Sequence, residues 1–423
     1  MHHFHFRNAE LYCEEVPVRD LARQLGTPLY VYSAATLTRH FQAFASGFAG
    51  VPHQTCFAVK ACSNIAVLNL FARLDGGADI VSGGELFRAL AAGIPANRII
   101  YSGVGKTAAE LREALRAGIL MLNVESPQEL DRVQQVAAEL GVVAPVAFRV
   151  NPDVDPKTHA YISTGLAKNK FGIPVTEAFA EYQRARSLPN ISVQGISCHI
   201  GSQLTQIAPF LEALRKLKAF MARLAAEGII LRYLDLGGGV GITYGEEQPP
   251  HPHEYAHAIR EELGDCSCTL ILEPGRVIVG NAAILVTEVQ YTKVNTGGEQ
   301  PKRFVIVDAA MNDLARPSLY GAHHQIVPVV QTAAAQQQVD IVGPICETGD
   351  FLARDRMLPP VAQGDLLAVM SCGAYGFSMS SNYNSRPRAA EVLVQGDRFQ
   401  VIRSRESYAD LIRGEVIPEG AGR

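Results

Sequence analysis

The chain has 423 residues, of which 48% are hydrophobic and 19% charged, as in globular proteins large enough for more than one core. Its 38 Lys and Arg residues nearly balance its 42 Asp and Glu residues, so neither nucleic acid nor an anionic membrane is an expected partner. No apolar run reaches the ~20 residues of a membrane helix, and no signal peptide is recognisable. Eight scattered cysteines without CxxC spacing are typical of reduced thiols. A cytoplasmic protein that handles small molecules is expected.

Short apolar runs alternate with longer segments of helical periodicity between residues 55 and 273. Eight runs are predicted as strands: 55–59, 78–81, 98–102, 119–124, 145–150, 193–199, 231–236 and 269–273. Predicted helices between them include 84–92, 107–117, 127–140, 206–227 and 254–263. Thr107 followed by Glu110, and Ser126 before Pro127, are helix-start signals. This alternation predicts an α/β fold, a (β/α)₈ TIM barrel, with a doubly wound open sheet as the alternative.

After residue 276 the pattern changes to strand-like runs separated by Gly, Pro and polar turns. These runs are 277–293, 303–308, 325–330, 365–370 and 391–403. Strand-like pieces near residues 11–13 and 29–31 are candidates to join them. The predicted domains are therefore a barrel of residues 33–276 and a mainly β domain of residues 277–423 that includes residues 1–32.

Unusual residues follow the predicted barrel strands, at the end where barrel enzymes carry their chemistry. Lys60 follows the first strand and His199 ends the sixth. Three consecutive glycines, 237–239, follow the seventh strand, and the run 273–276 (Glu-Pro-Gly-Arg) follows the eighth. These positions predict an active site at the carboxyl ends of the strands.

Each of these residues is open to two interpretations. Lys60 is either a solvated charge or a partly desolvated amine able to form a Schiff base. The glycines are either a tight turn or a row of bare amides that binds phosphate. Glu273 either forms a structural ion pair with Arg276 or keeps a pyridine nitrogen protonated. His199 is either a core histidine or a side chain that stacks on a flat ring.

Three motif-like stretches are judged incidental. Residues 253–257 match HExxH, but that helix lies on the outer ring of a barrel and lacks further zinc ligands, so no metal is expected. Residues 103–107 resemble a P-loop without its first glycine. Gly237 and Gly239 begin a dinucleotide motif whose last glycine is replaced by Ile242.

Six segments together resemble the alanine-racemase-fold (fold type III) pyridoxal-phosphate decarboxylases, and within them the diaminopimelate decarboxylase family. They are 57–61 (FAVKA), 199–202 (HIGS), 237–239 (GGG), 273–276 (EPGR), 346–350 (CETGD) and 373–375 (GAY). The resemblance extends from about residue 28 to 415, with the motifs in the family's order. It implies decarboxylation of meso-2,6-diaminopimelate to L-lysine with pyridoxal 5′-phosphate as cofactor.

The resemblance also implies a role for each matching residue. Lys60 carries the cofactor through a Schiff base, His199 stacks on its ring and Glu273 bonds the ring nitrogen. The other cofactor-binding residues are Ser202, Gly238, Gly239, Pro274, Gly275, Arg276 and Tyr375. The substrate-binding residues are Arg276, Arg316, Tyr320, Glu347 and Tyr375. Cys346 is the proton donor and enters the site from the other subunit, which implies a homodimer.

Two further features belong to the same resemblance. Residues 159–165, continuing to Lys170, Phe171 and Gly172, resemble the family's active-site loop. The chain departs from the family at Cys62, where asparagine is usual two residues after the cofactor lysine. This change is expected to alter local hydrogen bonding without removing a catalytic role.

Other activities remain as alternatives. The substrate could be ornithine, arginine or carboxynorspermidine, although Arg316 disfavours the two basic amino acids, which lack a distal carboxylate. An alanine racemase is disfavoured by the Cys346 motif. A non-catalytic regulatory relative is disfavoured by the presence of Lys60 and Cys346.

Overall fold

The computed structural model describes residues 2–155, 169–297 and 301–418. The chain forms two compact units. One is Leu37–Gly280, and the other combines Met1–Thr36 with Asn281–Arg423. Among the described helices, none combines the length and apolar character that crossing a membrane requires.

The unit Leu37–Gly280 is a closed barrel of eight parallel strands. They are His53–Ala58, Gly77–Ile80, Ile99–Tyr101, Met121–Val124, Ala144–Asn151, Ile191–Ser197, Tyr233–Asp235 and Thr269–Leu272. Each strand pairs in parallel with the next along the chain, and the last pairs with the first through Leu272 and Thr55. A two-residue strand, Ile173–Pro174, adds to Ala144–Asn151. The TIM barrel prediction is confirmed, and the open-sheet alternative is wrong because the first and last strands pair.

Helices follow the strands, as the alternating sequence pattern predicts. They are Ala34–Gly47, Ile65–Ala72, Gly83–Ala91, Ala108–Ala117, Pro127–Leu140, Val175–Arg186, Ala208–Ala226, Pro252–Leu263 and Arg276–Val279. The expected start signals operate: Thr107 forms a capping box with Glu110, and the Ser126 side chain accepts from the Glu129 N–H. Helix starts are therefore set locally by side chains that accept the first free N–H groups.

The barrel interior is packed with side chains. Buried residues of five strands form one cluster: Cys56, Ile100, Met121, Ala147 and Ile271. Burial on both faces explains why these strands appear in the sequence as continuous apolar runs rather than as alternating patterns. Because the interior is filled, ligand chemistry is confined to the ends of the strands.

The second unit is built on β-sheets. A three-stranded antiparallel sheet contains Phe4–Arg7, Glu10–Cys13 and Val16–Pro17, and the helix Val18–Leu25 follows it. The strands of a nine-stranded sheet are Leu29–Ser33, Ala283–Asn295, Lys302–Val307, Ile326–Pro328, Gln337–Val342, Phe351–Leu358, Leu366–Val369, Ala390–Gln395 and Arg398–Arg403. Leu29–Ser33 lies between Ala283–Asn295 and Ala390–Gln395, so residues from both ends of the chain complete the sheet.

Three details of this part of the chain differ from the sequence prediction. The predicted strand 277–293 begins only at Ala283, because Arg276–Val279 is helical and Gly280–Ala282 forms a 3₁₀ turn. Its β-branched apolar run does not by itself distinguish a strand from a buried helix. The predicted strand 391–403 is a hairpin, with Ala390–Gln395 antiparallel to Arg398–Arg403. The two short helices of the unit's C-terminal part, Arg316–Tyr320 and Tyr408–Leu411, were not predicted.

Candidate active site

Three predicted site residues line one cavity at the carboxyl ends of the barrel strands. The cavity has a volume of about 170 Å³, and Lys60, His199 and Glu273 are among its lining residues. Lys60 lies in the turn Val59–Ala61 directly after the first strand, and Glu273 is the first residue after the eighth. His199 lies two residues beyond the sixth strand. The barrel therefore brings together residues that are more than 200 positions apart in the chain.

The amine of Lys60 is held at the cavity by a buried carboxylate. Lys60 Nζ donates a short hydrogen bond to Asp79 Oδ2, on the second strand, Gly77–Ile80. The Asp79 side chain is fully buried, whereas 31% of the Lys60 side chain is exposed. A buried carboxylate requires a positive or hydrogen-bonding partner, so Asp79 fixes the amine where a ligand can reach it.

Two buried carboxyl groups lie at the ends of the seventh and eighth strands. Burial raises the pKa of Asp235 to about 6, although the Gly237 N–H and the Asn123 side chain both donate to it, each at 2.9 Å. Burial, together with the negative charges of Asp235 and Asp79, raises the pKa of Glu273 well above its usual range. Since neighbouring carboxyl groups in a desolvated site cannot both ionise readily, burial and the nearby charges favour the protonated form of Glu273.

A hydrogen-bond chain joins this pair to the cavity wall. Asn123 Nδ2 donates to Asp235 Oδ2 and to Ser102 Oγ, at 2.9 and 3.1 Å. Ser102 Oγ in turn donates to Glu273 Oε1 at 3.4 Å. The chain holds Glu273 in place while leaving it on the cavity surface.

His199 is neutral in this arrangement. Its Nδ1 accepts a hydrogen bond from the Gly238 N–H at 3.1 Å, so the ring hydrogen belongs to Nε2. Burial and the positive charges of Arg149 and Lys60 lower the pKa of the imidazole well below its usual value. The separation of 3.9 Å between Nδ1 and Glu273 Oε2 is therefore not an ion pair. A neutral, fixed imidazole presents a flat face suited to stacking.

The glycines after the seventh strand leave no room for side chains. A Cβ on Gly238 would lie 2.1 Å from the Glu273 carbonyl oxygen. A Cβ on Gly239 would lie 2.4 Å from the Gly201 carbonyl oxygen, and the φ of Gly239 is +116°. Only glycine satisfies both the space and this backbone conformation, so no side chain covers the Gly239 amide, whereas the Gly237 and Gly238 N–H groups donate to Asp235 and His199.

The structure does not show the alternative interpretation of Glu273, a structural ion pair with Arg276. Arg276 is buried and donates to the Tyr244 hydroxyl at 2.7 Å and to Ser202 Oγ at 3.1 Å. Glu273 instead has Ser102 and Asp235 as neighbours. Arg276 and Ser202, two predicted cofactor-binding residues, are thereby brought together beside the glycine turn.

Pro274 and Gly275 anchor the loop after the eighth strand to the first strand. The Pro274 carbonyl oxygen accepts from the Ala58 N–H at 3.1 Å. A Cβ on Gly275 would lie 3.1 Å from the Cβ atoms of both Ala58 and Ala61. This close approach fixes the loop relative to the turn that carries Lys60.

Two predicted substrate-binding residues of the second unit lie on the short helix Arg316–Tyr320. The Arg316 side chain is buried, and its Nη1 lies 3.1 Å from His324 Nε2. His324 Nδ1 lies 2.9 Å from the Met370 carbonyl oxygen, which can only accept, so Nδ1 carries the hydrogen and Nε2 accepts from Arg316. Tyr320 ends the same helix and is half-buried.

The Cys346–Glu347 segment lies beside that helix. Ser318 Oγ donates to the Gly349 carbonyl oxygen at 2.6 Å, which joins the helix to the turn after Cys346. Cys346 is exposed, and its N–H donates to Asn384 Oδ1 at 3.0 Å. Glu347 Oε2 accepts from the Tyr383 hydroxyl at 2.9 Å.

The remaining predicted positions are placed as follows. Tyr375 is half-buried and adopts a φ of +55°. Residues 159–165 of the expected active-site loop lie outside the described residues, while Phe171 lines the barrel cavity under the Arg149 guanidinium, 4.7 Å from the ring centroid. Cys62 is buried directly after the Lys60 turn.

Two of the incidental motifs have structural roles. His253 and His257 lie in the helix Pro252–Leu263, where His257 contacts Glu261 at 3.4 Å. In the P-loop-like stretch, Lys106 Nζ donates to the carbonyl oxygens of Gly103 and Asn123 and to Glu129, all within 2.8 Å. The buried Lys106 side chain thereby stabilises the fold, whereas the His257–Glu261 pair is exposed at the surface.

Sequence reasoning missed several polar residues of the site. Asp79, Asn123, Arg149 and Asp235 each lie on a barrel strand among apolar neighbours. A single polar residue inside a buried apolar run was the available signal, because such a residue requires a partner.

Comparisons with known proteins identify the class of this chain. Residues 34–280 match the family model described as pyridoxal-dependent decarboxylase, pyridoxal binding domain. The chain is 55% identical to the diaminopimelate decarboxylase of Pseudomonas aeruginosa, over 98% of this chain and 99% of the relative. It is 53% identical to that of Vibrio cholerae, over 99% of this chain and all of the relative. The diaminopimelate decarboxylase of M. jannaschii in complex with L-lysine is 39% identical with a TM-score of 0.93, covering 98% of each chain.

The fold and the full-length similarity define a barrel-type, pyridoxal-dependent decarboxylase. Within that class, the chain belongs to the diaminopimelate decarboxylase family. Its cofactor is accordingly pyridoxal 5′-phosphate.

The residues at the barrel mouth fit this cofactor. An amine, a buried carboxyl group and a neutral imidazole share one cavity, through Lys60, Glu273 and His199. Nearby, glycine amides and the Arg276 guanidinium provide donors for an anion. Asn123 Oδ1 is buried and accepts no hydrogen bond within the described part of the chain, as expected for a wall that meets a polar ligand.

Proposed function

We propose that this chain decarboxylates meso-2,6-diaminopimelate to L-lysine and CO₂, the last step of lysine biosynthesis. The observation that carries the proposal is the placement of Lys60, His199 and Glu273 around one cavity of a barrel whose full-length relatives are diaminopimelate decarboxylases. L-Lysine is also the molecule bound in the related M. jannaschii structure.

The barrel residues hold the cofactor. Lys60 attaches it, Glu273 bonds the ring nitrogen, and the amides of Gly239 and Gly275 with Arg276 and Ser202 bind its phosphate. Bound pyridoxal phosphate supplies an aldehyde that condenses with amines and a ring that withdraws the electrons left when CO₂ departs. The raised pKa of Glu273 favours retention of a proton where its carboxyl would meet that ring nitrogen. Neutral His199 stacks on the ring without repelling it.

The second unit supplies the substrate contacts. The planar fork of Arg316 binds both oxygens of a distal carboxylate, and Glu347 binds the distal ammonium. Tyr320 and Tyr375 complete the contacts. Cys346 delivers from its thiol the proton that replaces CO₂ on the α-carbon, as a thiol that is mainly protonated at neutral pH can do. Ornithine and arginine have no distal carboxylate for the buried Arg316 guanidinium to bind.

The active form is a homodimer in the cytoplasm. Cys346 is exposed on the single chain, whereas protonation of a carbanion proceeds best where water is excluded. A second copy that covers Cys346 with its own barrel mouth would provide this enclosure. All eight cysteines lie within the described residues and remain thiols, in agreement with a reducing compartment.

The direct test is release of CO₂ and L-lysine from meso-diaminopimelate, with and without added pyridoxal phosphate. Ornithine, arginine and carboxynorspermidine are assayed in parallel. We expect turnover of diaminopimelate alone, and only with the cofactor. Preferential turnover of another substrate, or racemised alanine without CO₂, would reject the proposal.

Two variants test the assignment of roles. Lys60→Ala should abolish covalent attachment of the cofactor and reduce activity to background, so substantial turnover in this variant would contradict the mechanism. If each site combines two copies, mixing Lys60→Ala and Cys346→Ala chains should raise activity above that of either variant alone, with rebuilt sites contributing up to about one quarter of full activity. No recovery after mixing and subunit exchange would refute the shared site.

A further inference from the structure

An exposed turn in the β-rich unit contacts two adjacent residues of the proposed machinery. Tyr383–Ser385 forms a short turn with a kink, because Asn384 is not helical. The Tyr383 hydroxyl donates to Glu347 Oε2 at 2.9 Å, and Asn384 Oδ1 accepts from the Cys346 N–H at 3.0 Å. We propose that Tyr383 and Asn384 are positioning residues, which orient the substrate-binding carboxylate of Glu347 and the proton-donating segment of Cys346. This inference rests on the roles proposed above for Glu347 and Cys346.

The backbone of this turn is unusual, because it enters the left-handed region without a glycine. Asn384 and Ser385 both adopt the left-handed conformation, with φ values of +54° and +53°. Asparagine tolerates this region better than most residues, and serine less well. Such conformations persist where surrounding contacts enforce them, and they are concentrated at functional sites. The left-handed step turns the Asn384 side chain toward Cys346 while Tyr383 reaches Glu347.

The turn is anchored on the side away from Cys346. Asn382 Nδ2 donates to the Arg386 carbonyl oxygen at 3.0 Å and to Glu406 Oε2 at 2.7 Å. Arg386 Nη2 donates to the Asp308 carbonyl oxygen at 2.5 Å. These bonds tie both ends of the turn to other parts of the unit, so its two middle residues can act as fixed supports.

The opposite side of the Cys346 segment is held independently. Asp350 Oδ2 accepts from the Ile345 N–H at 2.7 Å, and Asp350 Oδ1 accepts from the Met311 N–H at 2.8 Å. Asp350 thus fixes the base of the segment, whereas Tyr383 and Asn384 contact its exposed tip. Removing the tip contacts should leave the fold intact and change only the orientation of Cys346 and Glu347.

The hydrogen bond from Tyr383 has a definite chemical effect. The hydrogen bond to Glu347, together with the charge of that carboxylate, raises the pKa of the Tyr383 phenol, so the phenol remains a donor at working pH. It occupies one lone-pair direction of Oε2 and leaves the other carboxylate oxygen for a substrate ammonium. The Asn384 bond acts on the backbone of Cys346, which sets the direction of its side chain without changing the thiol itself.

The Tyr383 contact is tested with Tyr383→Phe, which removes only the hydroxyl. Because the bond acts on a binding group, KM for meso-diaminopimelate should rise about five- to tenfold with kcat nearly unchanged. The exposed Tyr408→Phe is the matched control and should leave both constants unchanged. In a Glu347→Gln background, Tyr383→Phe should add little. An unchanged KM, or an equal effect in both backgrounds, would overturn this assignment.

The Asn384 contact is tested with a pair of variants. Asn384→Gly removes the acceptor while accommodating the left-handed backbone, and Asn384→Asp keeps an oxygen at the same place. We expect Asn384→Gly to lower kcat about tenfold and to change the rate at which iodoacetamide alkylates Cys346, read by peptide mass spectrometry. Asn384→Asp should restore both values. Asn8→Gly, at another exposed asparagine with a φ of +50°, is the control.

The Cys346→Ala variant distinguishes failure of this inference from failure of the proposed function. If Cys346→Ala lowers kcat but Asn384→Gly changes neither kcat nor the alkylation rate, the positioning role is wrong while the proton donor stands. If Cys346→Ala leaves kcat unchanged, the proposed proton donor fails. The alkylation rate still reports whether Asn384 orients the segment, because that measurement does not depend on turnover.

Discussion

Replacing Gly239 by alanine should weaken cofactor binding through a steric effect that the structure allows us to calculate. The new Cβ would lie 2.4 Å from the Gly201 carbonyl oxygen, where ordinary contact begins at 3.4 Å, so the two loops must separate by about 1 Å. The φ of +116° adds strain of about 1–3 kcal/mol for a residue with a side chain. Separation also moves Ser202, the residue after Gly201, away from Arg276.

The expected loss follows from these contacts. One hydrogen bond to a charged group contributes about 1.5–3 kcal/mol, and about 1.4 kcal/mol corresponds to a tenfold change in affinity. Gly239→Ala should therefore raise the Kd for pyridoxal phosphate by roughly tenfold to a hundredfold. The measurement is a titration of cofactor-free protein followed by the absorbance of the bound cofactor. Circular dichroism establishes that the variant folds.

A matched variant separates strain from collision. Gly118 also has a positive φ, +70°, but a Cβ there would meet nothing within 4 Å. Gly118→Ala should lower stability slightly and leave the Kd unchanged. If Gly239→Ala folds and binds the cofactor with the affinity of the unmodified chain, the proposed contact between the Gly239 amide and the phosphate is refuted.

Three further predictions concern catalysis and pH. Cys346→Ala should reduce kcat while the cofactor stays bound. Unchanged single-turnover kinetics would show that Cys346 is not the proton donor. Arg316→Ala should mainly raise KM for diaminopimelate, and equal kinetics would reject its carboxylate-binding role. Burial raises the pKa of Asp235 from 3.8 to about 6, so the folded state binds this proton more tightly than the unfolded state. The free energy of unfolding should therefore fall as the pH rises through this range. Urea unfolding of the cofactor-free protein measures this free energy. Between pH 4 and 7 it should fall less in Asp235→Asn than in the unmodified chain, and an equal fall in both proteins would contradict the burial argument.

The barrel could be predicted from the sequence because parallel strands buried on both faces appear as continuous apolar runs. The predicted runs 145–150 and 269–273 correspond to Ala144–Asn151 and Thr269–Leu272, within one residue at each end. The strands of the β-rich unit have a weaker apolar pattern in the sequence. Gln337–Val342 and Phe351–Leu358 contain polar residues and were not predicted, because the register of such strands is set by partners far along the chain.

The positions of the candidate site residues were predictable, whereas their partners were not. Lys60 and Glu273 stand out because each follows a barrel strand. Their neighbours Asp79 and Asp235 lie inside strands, and nothing local indicates which charge each one meets. The contacts of Tyr383 and Asn384 connect residues 36 and 38 positions apart, so only the folded chain shows them.

The placement of the strand Leu29–Ser33 has a consequence for the order in which the protein can assemble on the ribosome. Leu29 pairs with Ala390, and the Gly396 N–H donates to the Glu14 carboxylate across 382 positions of sequence. The barrel, by contrast, is one continuous stretch that is complete once Gly280 has emerged. During synthesis the first thirty or so residues must therefore wait, with one edge of their strand uncovered, until almost the whole chain has been made. Translation that stops shortly before residue 390 would release a chain with a finished barrel and a strand still lacking its last neighbour.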